Sequence, residues 1–436
     1  MKVLFLNAPW WIQQPNGEVF KGVRAGSRWG HGFRSMSKPG YFVFGDYVPY
    51  PFFMAYAATY AGEHTGAEIY FRDSIALSED YSDLYTYLWQ LQPDMIFFES
   101  STPSWEHDRH YLAYLAANLP QTRLVVTGTI VTSRAQEVLA LSGVVAAILG
   151  EYEKGSVRAI NGQTGLILRE LLTQDEMNAA PFPWLDDLHA HRYCDHNPVG
   201  QVFPHLQAWT SRGCFAKCTH CEWPATMTGD DPDGTRPRKV RLYSAEYLEA
   251  FLSYAVERFG FKSVYFDGDT ENQGNRHTAK ICEVMRKINL PWSAMCRIDT
   301  IDRAHWKLMR ESGCFGVKIG YESGSQYVVD VLIKKGLDLE QARETTKYLK
   351  ELGMTVHGTF MSGIPGETHE QMQQTLDYIK SLPLDSYQHS GMAELEGAPV
   401  HTLRERGEMQ DANYTRENDG ARAIENILKQ MREEKT

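Results

Sequence analysis

The chain has 436 residues, of which 43% are hydrophobic and 23% are charged, and its formal net charge is −11 at pH 7. This length allows two or three domains with sizeable cores, and the composition is that of an ordinary globular protein. The acidic balance argues against a nucleic-acid backbone as substrate, since such proteins carry dense Lys/Arg blocks.

The amino terminus begins with an apolar run of four residues, which is too short for the core of a signal peptide. No stretch approaches the ~18 consecutive apolar residues of a membrane span. We therefore expect a cytoplasmic protein without a membrane partner. The basic run 236–241 departs from the acidic balance, and we expect it near an anionic cofactor group or on a solvated loop.

Residues 1–150 alternate short apolar runs with longer helical patterns. The predicted strands are 3–6, 68–71, 95–99, 124–127 and 145–149, and the predicted helices are 53–63 and 111–119. Buried runs separated by helix-length segments are typical of a parallel sheet covered on both faces. The pattern predicts a doubly wound, Rossmann-like α/β domain, whose ligands bind at the carboxyl ends of the strands.

Two segments of this half are irregular. Residues 8–50 are rich in aromatic residues, glycine and arginine, and a loop of this length is expected to be a lid over a cofactor or substrate, or to pack over a domain interface. Residues 151–203 are expected to form a linker, with a short strand or hairpin at 162–169 and an extended segment at 181–184, where two prolines stop a helix.

Residues 204–395 repeat a strand and helix pattern six times. The predicted strands are 207–210, 263–266, 292–296, 316–320, 356–361 and 387–392, and the predicted helices are 245–258, 276–288, 303–312, 326–334 with 339–352, and 370–382. Ser244 and Thr368 are predicted N-caps, and Gly260 and Gly353 follow their helices. Six units predict a partial (β/α)6 barrel of the TIM type, with its chemistry at the carboxyl ends of the strands. Residues 396–436 are expected to form a helical tail.

Three cysteines follow the first predicted barrel strand at intervals of four and three residues: Cys214, Cys218 and Cys221. A closed zinc site takes four N/S ligands and most iron–sulfur clusters take four thiolates, so a set of three leaves one metal position open. A zinc knuckle without a visible fourth ligand and a chance grouping are the alternatives. The other four cysteines are scattered, and seven in a chain of this length do not make a disulfide framework.

The spacing C-x3-C-x2-C closely resembles that of the radical S-adenosylmethionine (radical SAM) enzymes. The resemblance implies a [4Fe-4S] cluster on Cys214, Cys218 and Cys221, with SAM bound at the open iron. One electron then cleaves SAM to a 5′-deoxyadenosyl radical. It also implies an external electron donor such as flavodoxin or ferredoxin. His220 stands where the family usually has an aromatic residue against SAM.

Polar residues at the ends of the later barrel strands are candidates for binding SAM, since carboxylates accept charge-assisted hydrogen bonds from its ammonium group. With His220, the candidates are Asp267, Asp269, Arg297, Lys318, Glu322, Ser323 and Gly363. In the family the position of Glu322 binds the ribose hydroxyls. His357 and Thr359 share one face of the fifth strand by the two-residue period, and we expect them to face substrate.

The amino-terminal domain resembles the cobalamin-binding domain of the B12-dependent radical SAM subfamily. The resemblance rests on the helix at 51–60, on the serine-rich turn after strand 95–99 and on the Gly-Glu after strand 145–149. The candidate cobalamin-binding residues are Ser100, Ser101, Thr102, Gly128, Thr129, Gly150 and Glu151. The motif D-x-H-x-x-G is absent after the first strand, so cobalt would be bound without a histidine. The usual glycine pair is Gly128-Thr129, and the alternative is a domain that keeps the fold and has lost or repurposed the pocket.

The resemblance implies cobalamin-dependent methylation at an unactivated carbon of a small-molecule or peptide substrate, in natural-product metabolism. The alternative is a radical reaction without methylation, such as diol dehydration, epimerisation or rearrangement of a sugar or aminoglycoside precursor. A non-enzymatic alternative is a zinc-binding or cluster-sensing module.

Overall fold

The computed structural model describes residues 1–13, 19–21, 35–37, 42–43 and 48–409. Most of the predicted lid, and the predicted tail helix beyond residue 409, lie outside the described residues. None of the helices in the described part is both long enough and apolar enough to cross a membrane.

Six parallel strands form the first sheet, in the order β6-β5-β4-β3-β1-β2. The strands are β1 Lys2–Asn7, β2 Glu68–Asp73, β3 Met95–Glu99, β4 Arg123–Thr127, β5 Val144–Ile148 and β6 Gly165–Ile167. The helices between them are α1 Phe52–His64, α2 Tyr81–Leu91, α3 Trp105–Asn118, α4 Ile130–Leu139 and α5 Glu153–Ile160, with a 3₁₀ turn at Thr102–Ser104. The prediction of a doubly wound parallel domain is confirmed.

The helices cover both faces of this sheet, as alternation along β1 shows. Val3 and Phe5 belong to the core that includes α1 and α5, whereas Leu4 and Leu6 belong to the core beneath α2, α3 and α4. Successive side chains of a strand point to opposite faces, so a strand buried on both faces reads as one continuous apolar run. The core on the α1 side continues without a break into the barrel.

The strand order places a ligand crevice in this domain. The chain runs outward from β1 to β2 on one side and to β3 on the other, so the order reverses between β1 and β3. Open α/β sheets bind ligands outside the carboxyl ends of the strands at such a point. The sheet also includes the three-residue β6, which lies in the segment 151–203 that was predicted as a linker.

Six further strands form the barrel wall, parallel and in chain order. They are β7 His205–Ala208, β8 Ser263–Phe266, β9 Trp292–Cys296, β10 Cys314–Glu322, β11 Thr355–Ser362 and β12 Ser386–Gly391. Helix α6 (Gln174–Ala179) lies in the linker, and the barrel helices are α7 Ala245–Phe259, α8 Asn275–Ile288, α9 Arg303–Glu311, α10 Leu339–Glu351, α11 His369–Ser381 and α12 Pro399–Glu405, with one turn at Trp223–Thr226. The predicted six-unit partial barrel is confirmed.

The predicted helix boundaries follow from capping. The Ser244 hydroxyl accepts the backbone N–H of Tyr247, and Thr368 forms a capping box with Gln371. Gly260 has φ +71, a left-handed conformation that glycine adopts without strain.

Two expectations for the barrel differ from the structure. The helix predicted at 326–334 is shorter in the structure: residues 326–332 are helical, with a π-helical turn at Val328–Leu332, and residues 333–338 are irregular, with positive φ at Lys334 and Gly336. The sheet also has two more strands, because Ser35–Ser37 pairs with β12 in antiparallel orientation and Phe42–Val43 pairs with Ser35–Ser37. An uncovered sheet edge presents unpaired backbone groups, and a segment of the expected lid satisfies those of β12.

Candidate active site

A cavity of about 260 Å³ lies at the carboxyl ends of the barrel strands and is closed by the start of α1 from the first domain. The three cysteines line it, together with seven of the other predicted site residues: His220, Asp267, Asp269, Arg297, Lys318, Glu322 and Thr359. Tyr50, Phe52, Phe53, Trp209 and Trp223 form an aromatic wall. Side chains predicted from five separate stretches of sequence therefore face one cavity.

The cysteine loop is held at its base by a short antiparallel pair, Ser211–Arg212 with Arg241–Leu242. Gly213 follows at φ +89, and a side chain there would place its first carbon 2.5 Å from the Lys239 carbonyl oxygen. Only glycine therefore allows the two segments to lie this close. Cys214 and Cys218 are each 8% exposed.

The thiols are free, and none of the three cysteines forms a disulfide. Burial raises the pKa of the Cys218 and Cys221 thiols above the ordinary value of a cysteine. Buried neutral thiols are inert by themselves, and a bound metal makes them give up their protons. This donor set therefore fits soft metal ions that take thiolate ligands.

A buried ion pair also lines the cavity. Lys335 Nζ donates to Glu322 Oε1 at 2.8 Å, and the side chains are 7% and 12% exposed. Burial alone would raise the pKa of Glu322, but Lys335, His220 and Arg297 together outweigh burial and hold that pKa below its ordinary value. Glu322 is therefore an ionised acceptor inside the cavity.

Glu322 owes its position to a break in the strand. Its φ is +68, and the pairing of β10 with β11 shifts register between Gly320 and Glu322. A bulge of this kind re-aims a side chain and costs of order 1 kcal/mol for a residue other than glycine.

Arg297 lies between the loop and the ion pair. Its guanidinium donates to both carboxylate oxygens of Asp299 at 3.0 and 2.6 Å and to the Lys335 carbonyl oxygen at 3.1 Å. Its Nη1 has no hydrogen-bond partner among the described residues. The cavity thus contains a buried, oriented donor that is suited to an anionic group.

Hydrogen bonds from backbone N–H groups to two carboxylates hold the turn after β8 in place. Asp269 accepts the backbone N–H of Gly213 at 3.1 Å, and Glu271 accepts those of Gly268 and Thr210 at 2.6 and 3.0 Å. Burial raises the pKa of Glu271 to about 8. The sequence analysis did not single out Glu271, which positions the turn without lining the cavity.

Lys318 and Thr359 line the floor of the cavity, whereas His357 lies beneath it. Lys318 Nζ donates to Asp195 Oδ2 at 3.2 Å, and Asp195 is 2% exposed. His357 is fully buried, with its Nδ1 2.8 Å from the Ser386 hydroxyl.

Ser323 and Gly363 lie outside the cavity lining. The Ser323 hydroxyl is 2.9 Å from that of Thr375, and the Gly363 N–H donates to Glu367 at 2.8 Å. Both residues organise the turns that follow their strands.

The candidate cobalamin residues all lie where β3, β4 and β5 end, at the carboxyl edge of the first sheet. The Ser100 hydroxyl donates to Asp108 at 2.6 Å, and that of Ser101 is 3.0 Å from the Ser104 hydroxyl. The buried hydroxyls of Thr102 and Thr129 have no hydrogen-bond partner among the described residues. This edge therefore contains both satisfied and unsatisfied polar groups.

The other three candidates are engaged with the protein itself. A side chain at Gly128 would place its first carbon 2.0 Å from the Ser100 carbonyl oxygen, and one at Gly150 would meet Arg169. Glu151 is 1% exposed and pairs with Arg241 and Arg212. The structure thus gives Glu151 two partners from the barrel half of the chain.

The sequence analysis missed Lys335 and the aromatic wall. Lys335 follows the π-helical turn, and no spacing links it to Glu322, thirteen residues earlier. The Phe52 ring stacks on Trp209 with centroids 4.2 Å apart, which joins the two halves of the chain at the cavity. Phe52 belongs to the helix at 51–60 that supported the cobalamin-domain resemblance, but apolar residues at the start of a helix read as ordinary core, so no local signal showed that it lines the cavity.

Among known proteins, this chain is similar to two methyltransferases, and the two matches cover different shares of the chain. The cytidylyl-2-hydroxyethylphosphonate methyltransferase of Streptomyces wedmorensis is 29% identical over 57% of this chain, and the match covers 47% of the relative's length. An uncharacterized methyltransferase of Pyrococcus horikoshii is 26% identical over 77% of this chain and 74% of its own length. The chain therefore spans about half of the first relative and most of the second.

The fold is also found among solved structures. The radical SAM methyltransferase TsrM of Kitasatospora setae, solved with cobalamin and a [4Fe-4S] cluster, matches with a TM-score of 0.60 and 14% identity over 81% of this chain and 74% of TsrM. Residues 210–379, which include the cysteine loop and the strand ends around the cavity, match the Radical SAM superfamily. The matching segment carries most of the partial barrel and the whole three-cysteine loop, so this part of the chain is similar to the radical SAM superfamily.

Proposed function

We propose that this protein is a radical SAM methyltransferase that holds a [4Fe-4S] cluster on Cys214, Cys218 and Cys221. The observation that carries the proposal is that three free thiols and several charged groups line the same cavity. Three thiolates leave one iron without a protein ligand, which is the position that SAM occupies in this superfamily.

Other residues that line the cavity supply partners for the charges of SAM. Arg297 presents a buried guanidinium N–H that fits a carboxylate, and Asp267 and Asp269 present oxygens that fit an ammonium group. Glu322, which Lys335 keeps ionised, fits the paired hydroxyls of a ribose. His220, in the loop itself, lines the same space.

We further propose that the first domain binds cobalamin at the carboxyl edge of its sheet. The reversal of strand order between β1 and β3 supports this proposal, as do the unsatisfied hydroxyls of Thr102 and Thr129 at that edge. Because the D-x-H-x-x-G motif is absent, no residue of that motif ligates cobalt. Gly128 and Gly150 pack closely against neighbouring residues at that edge. Glu151 pairs with the barrel half of the chain instead of contacting the ligand.

When bound, the cluster and SAM would supply the means to remove a hydrogen atom from an unactivated carbon of the substrate, and cobalamin would supply a methyl group. The chain's own residues exclude water and position the substrate. The aromatic wall closes the cavity on the side of the first domain, and Thr359 and Lys318 face its interior. The names of both curated relatives support methylation, and we propose a small-molecule or peptide substrate.

The cluster assignment is tested by comparing Cys218→Ala with Cys296→Ala. Cys296 lines the same cavity but lies on β9, outside the loop, so it serves as a matched control. After anaerobic reconstitution we expect Cys218→Ala to lose most bound iron and sulfide and all reductive SAM cleavage. Cys296→Ala should keep both. A full iron complement in Cys218→Ala would refute the ligand assignment.

Cobalamin binding is tested separately, by adding hydroxocobalamin to the protein and recording the visible spectrum after gel filtration. We expect the corrinoid to remain with the protein at about one equivalent. If no corrinoid is retained while SAM is still cleaved, the proposal of methylation is refuted, and the radical reaction without methyl transfer is favoured instead.

A further inference from the structure

The outer side of the cysteine loop reaches solvent. Residues 215–217 lie between the first two cysteines; Phe215 is 49% exposed and Lys217 is half-buried. The inner side of the same loop faces the cavity. A protein that contacts the loop from the solvent side therefore meets the side chains of Phe215 and Lys217.

Two segments flank the loop on this side, and both present basic residues. On one side Lys217 Nζ donates to the Thr235 carbonyl oxygen at 3.1 Å and Arg238 Nη1 donates to that of Ala216 at 2.6 Å. These bonds lay the basic run 236–241 along the loop. Of its members, Arg236 and Lys239 are exposed.

The second segment follows the π-helical turn. The Thr219 N–H and hydroxyl donate to the carbonyl oxygens of Ile333 and Leu332, each at 2.8 Å. These two bonds place the exposed Lys334 beside the loop. We call Lys217, Arg236, Lys239 and Lys334 the basic face.

The basic face carries a surplus of positive charge. The nearby aspartates are already matched by arginines: Asp230 pairs with Arg169 and Arg236, Asp231 with Arg238, and Asp233 with Arg406. In the described part of the chain, no carboxylate lies within 4.0 Å of the ammonium group of any of the three lysines. A chain of net charge −11 thus has a basic patch over the loop proposed to hold its cluster.

We infer that the basic face is the docking surface of an acidic electron-carrier protein. The inference rests on the proposed cluster, which accepts one electron from the carrier without forming or breaking a bond. An acidic partner is repelled by most of this chain, so complementary charge at the loop directs it to the surface nearest the cluster. The exposed Phe215 ring provides an apolar contact at the centre of that surface.

The test compares Arg236→Glu/Lys239→Glu with Lys262→Glu/Arg286→Glu. The control pair makes the same charge change at exposed residues on the opposite end of the barrel, before β8 and at the end of α8. Reduced flavodoxin is the probe, and stopped-flow absorbance records reduction of the reconstituted cluster. We expect at least a tenfold slower reduction for the first pair at low salt and an unchanged rate for the control pair. The difference should shrink at 0.5 M salt.

Two further measurements separate the possible outcomes. Reduction by dithionite, which needs no docking, should be equal in all three proteins, and oxidised flavodoxin should bind the first pair more weakly. Equal rates with flavodoxin would overturn the inference. Binding of tRNA that only the first pair loses, with flavodoxin rates unchanged, would assign the face to nucleic acid instead. A wild-type protein that retains no iron would refute the proposed cluster and is recognised before any rate is measured.

Discussion

At the scale of single residues, the Lys335–Glu322 pair governs the electrostatics of the cavity. A buried charge that loses its partner is costly, because neither water nor an opposite charge then stabilises it. Each member therefore keeps the other ionised. The folded-state pKa of Glu322 is lowered, so the stabilisation it contributes is present above the pKa of an unfolded glutamate and is lost as the pH falls through the lowered value.

We predict that Glu322→Gln weakens SAM binding about 10- to 100-fold, which corresponds to one hydrogen bond to a charged group. Cluster content should not change, because the substitution leaves all three thiols in place. Isothermal titration of the reconstituted protein with SAM measures the affinity, with the exposed Glu340→Gln as control. An affinity equal to wild type would remove Glu322 from the SAM site.

At the scale of elements, the cysteine loop is anchored to the first domain by two arginines. Arg212 is 1% exposed; its Nη1 donates to Glu153 at 2.5 Å, and its guanidinium carbon lies 4.4 Å from the centre of the Tyr56 ring. Arg241, on the strand paired with that of Arg212, donates to Glu151. The acidic pair follows β5, so the position of the loop depends on a turn of the first domain.

We predict that Arg212→Met destabilises the protein by about 3–5 kcal/mol, because two carboxylates then remain buried with Arg241 as their sole cation in this network. Arg258→Met removes an exposed pair with Asp187 and should cost less than about 1 kcal/mol. Urea unfolding monitored by tryptophan fluorescence compares the two variants with wild type. Equal losses would show that the buried network does not hold the domains together.

At the scale of the whole molecule, burial keeps several histidines of the barrel half in the neutral form. Burial lowers the pKa of His205, His277 and His389 to about 4 and that of His357 to about 3. Below pH 6.5 these histidines bind protons in the unfolded chain but stay neutral in the folded chain. The free energy of unfolding therefore falls as the solution is acidified. Glu271 acts in the opposite direction, because its raised pKa makes stability fall as the pH rises from about 4.5 to 8.

We predict that His357→Gln flattens the acid limb of the stability curve between pH 4 and 6.5, by up to about 1.4 kcal/mol per pH unit. Burial and the charge of Lys318 both oppose the charged form of His357, and together they outweigh Asp195, which favours it. Urea unfolding at a series of pH values measures the slope, with the exposed His64→Gln as control. A slope equal to that of wild type would mean that His357 is protonated in the folded protein.

Much of the architecture followed from local pattern. Apolar runs of strand length separated by helical periods predicted both parallel sheets, and Ser244 and Thr368 marked the starts of their helices. The three cysteines were recognisable because all of them lie within eight consecutive residues. Each of these signals needs only neighbours in the chain, so no knowledge of the folded structure was required.

Other features depend on residues that are distant in sequence. Lys335 reaches Glu322 because the helix predicted at 326–334 ends in a π-helical turn at Val328–Leu332 and an irregular segment follows it. Glu151, predicted as a cobalamin ligand, meets Arg241 ninety residues later. The edge strand at Ser35–Ser37 pairs with β12, about 350 residues away.

By itself, therefore, the sequence determined the two parallel α/β layers and the trio of thiols, because repeating apolar periods and short spacings are local properties. The tertiary structure alone decided which charged groups face those thiols and how the two halves of the chain are joined. Those pairings depend on the order in which the strands lie side by side and on the close packing of their turns, and neither leaves a periodic signal in the chain.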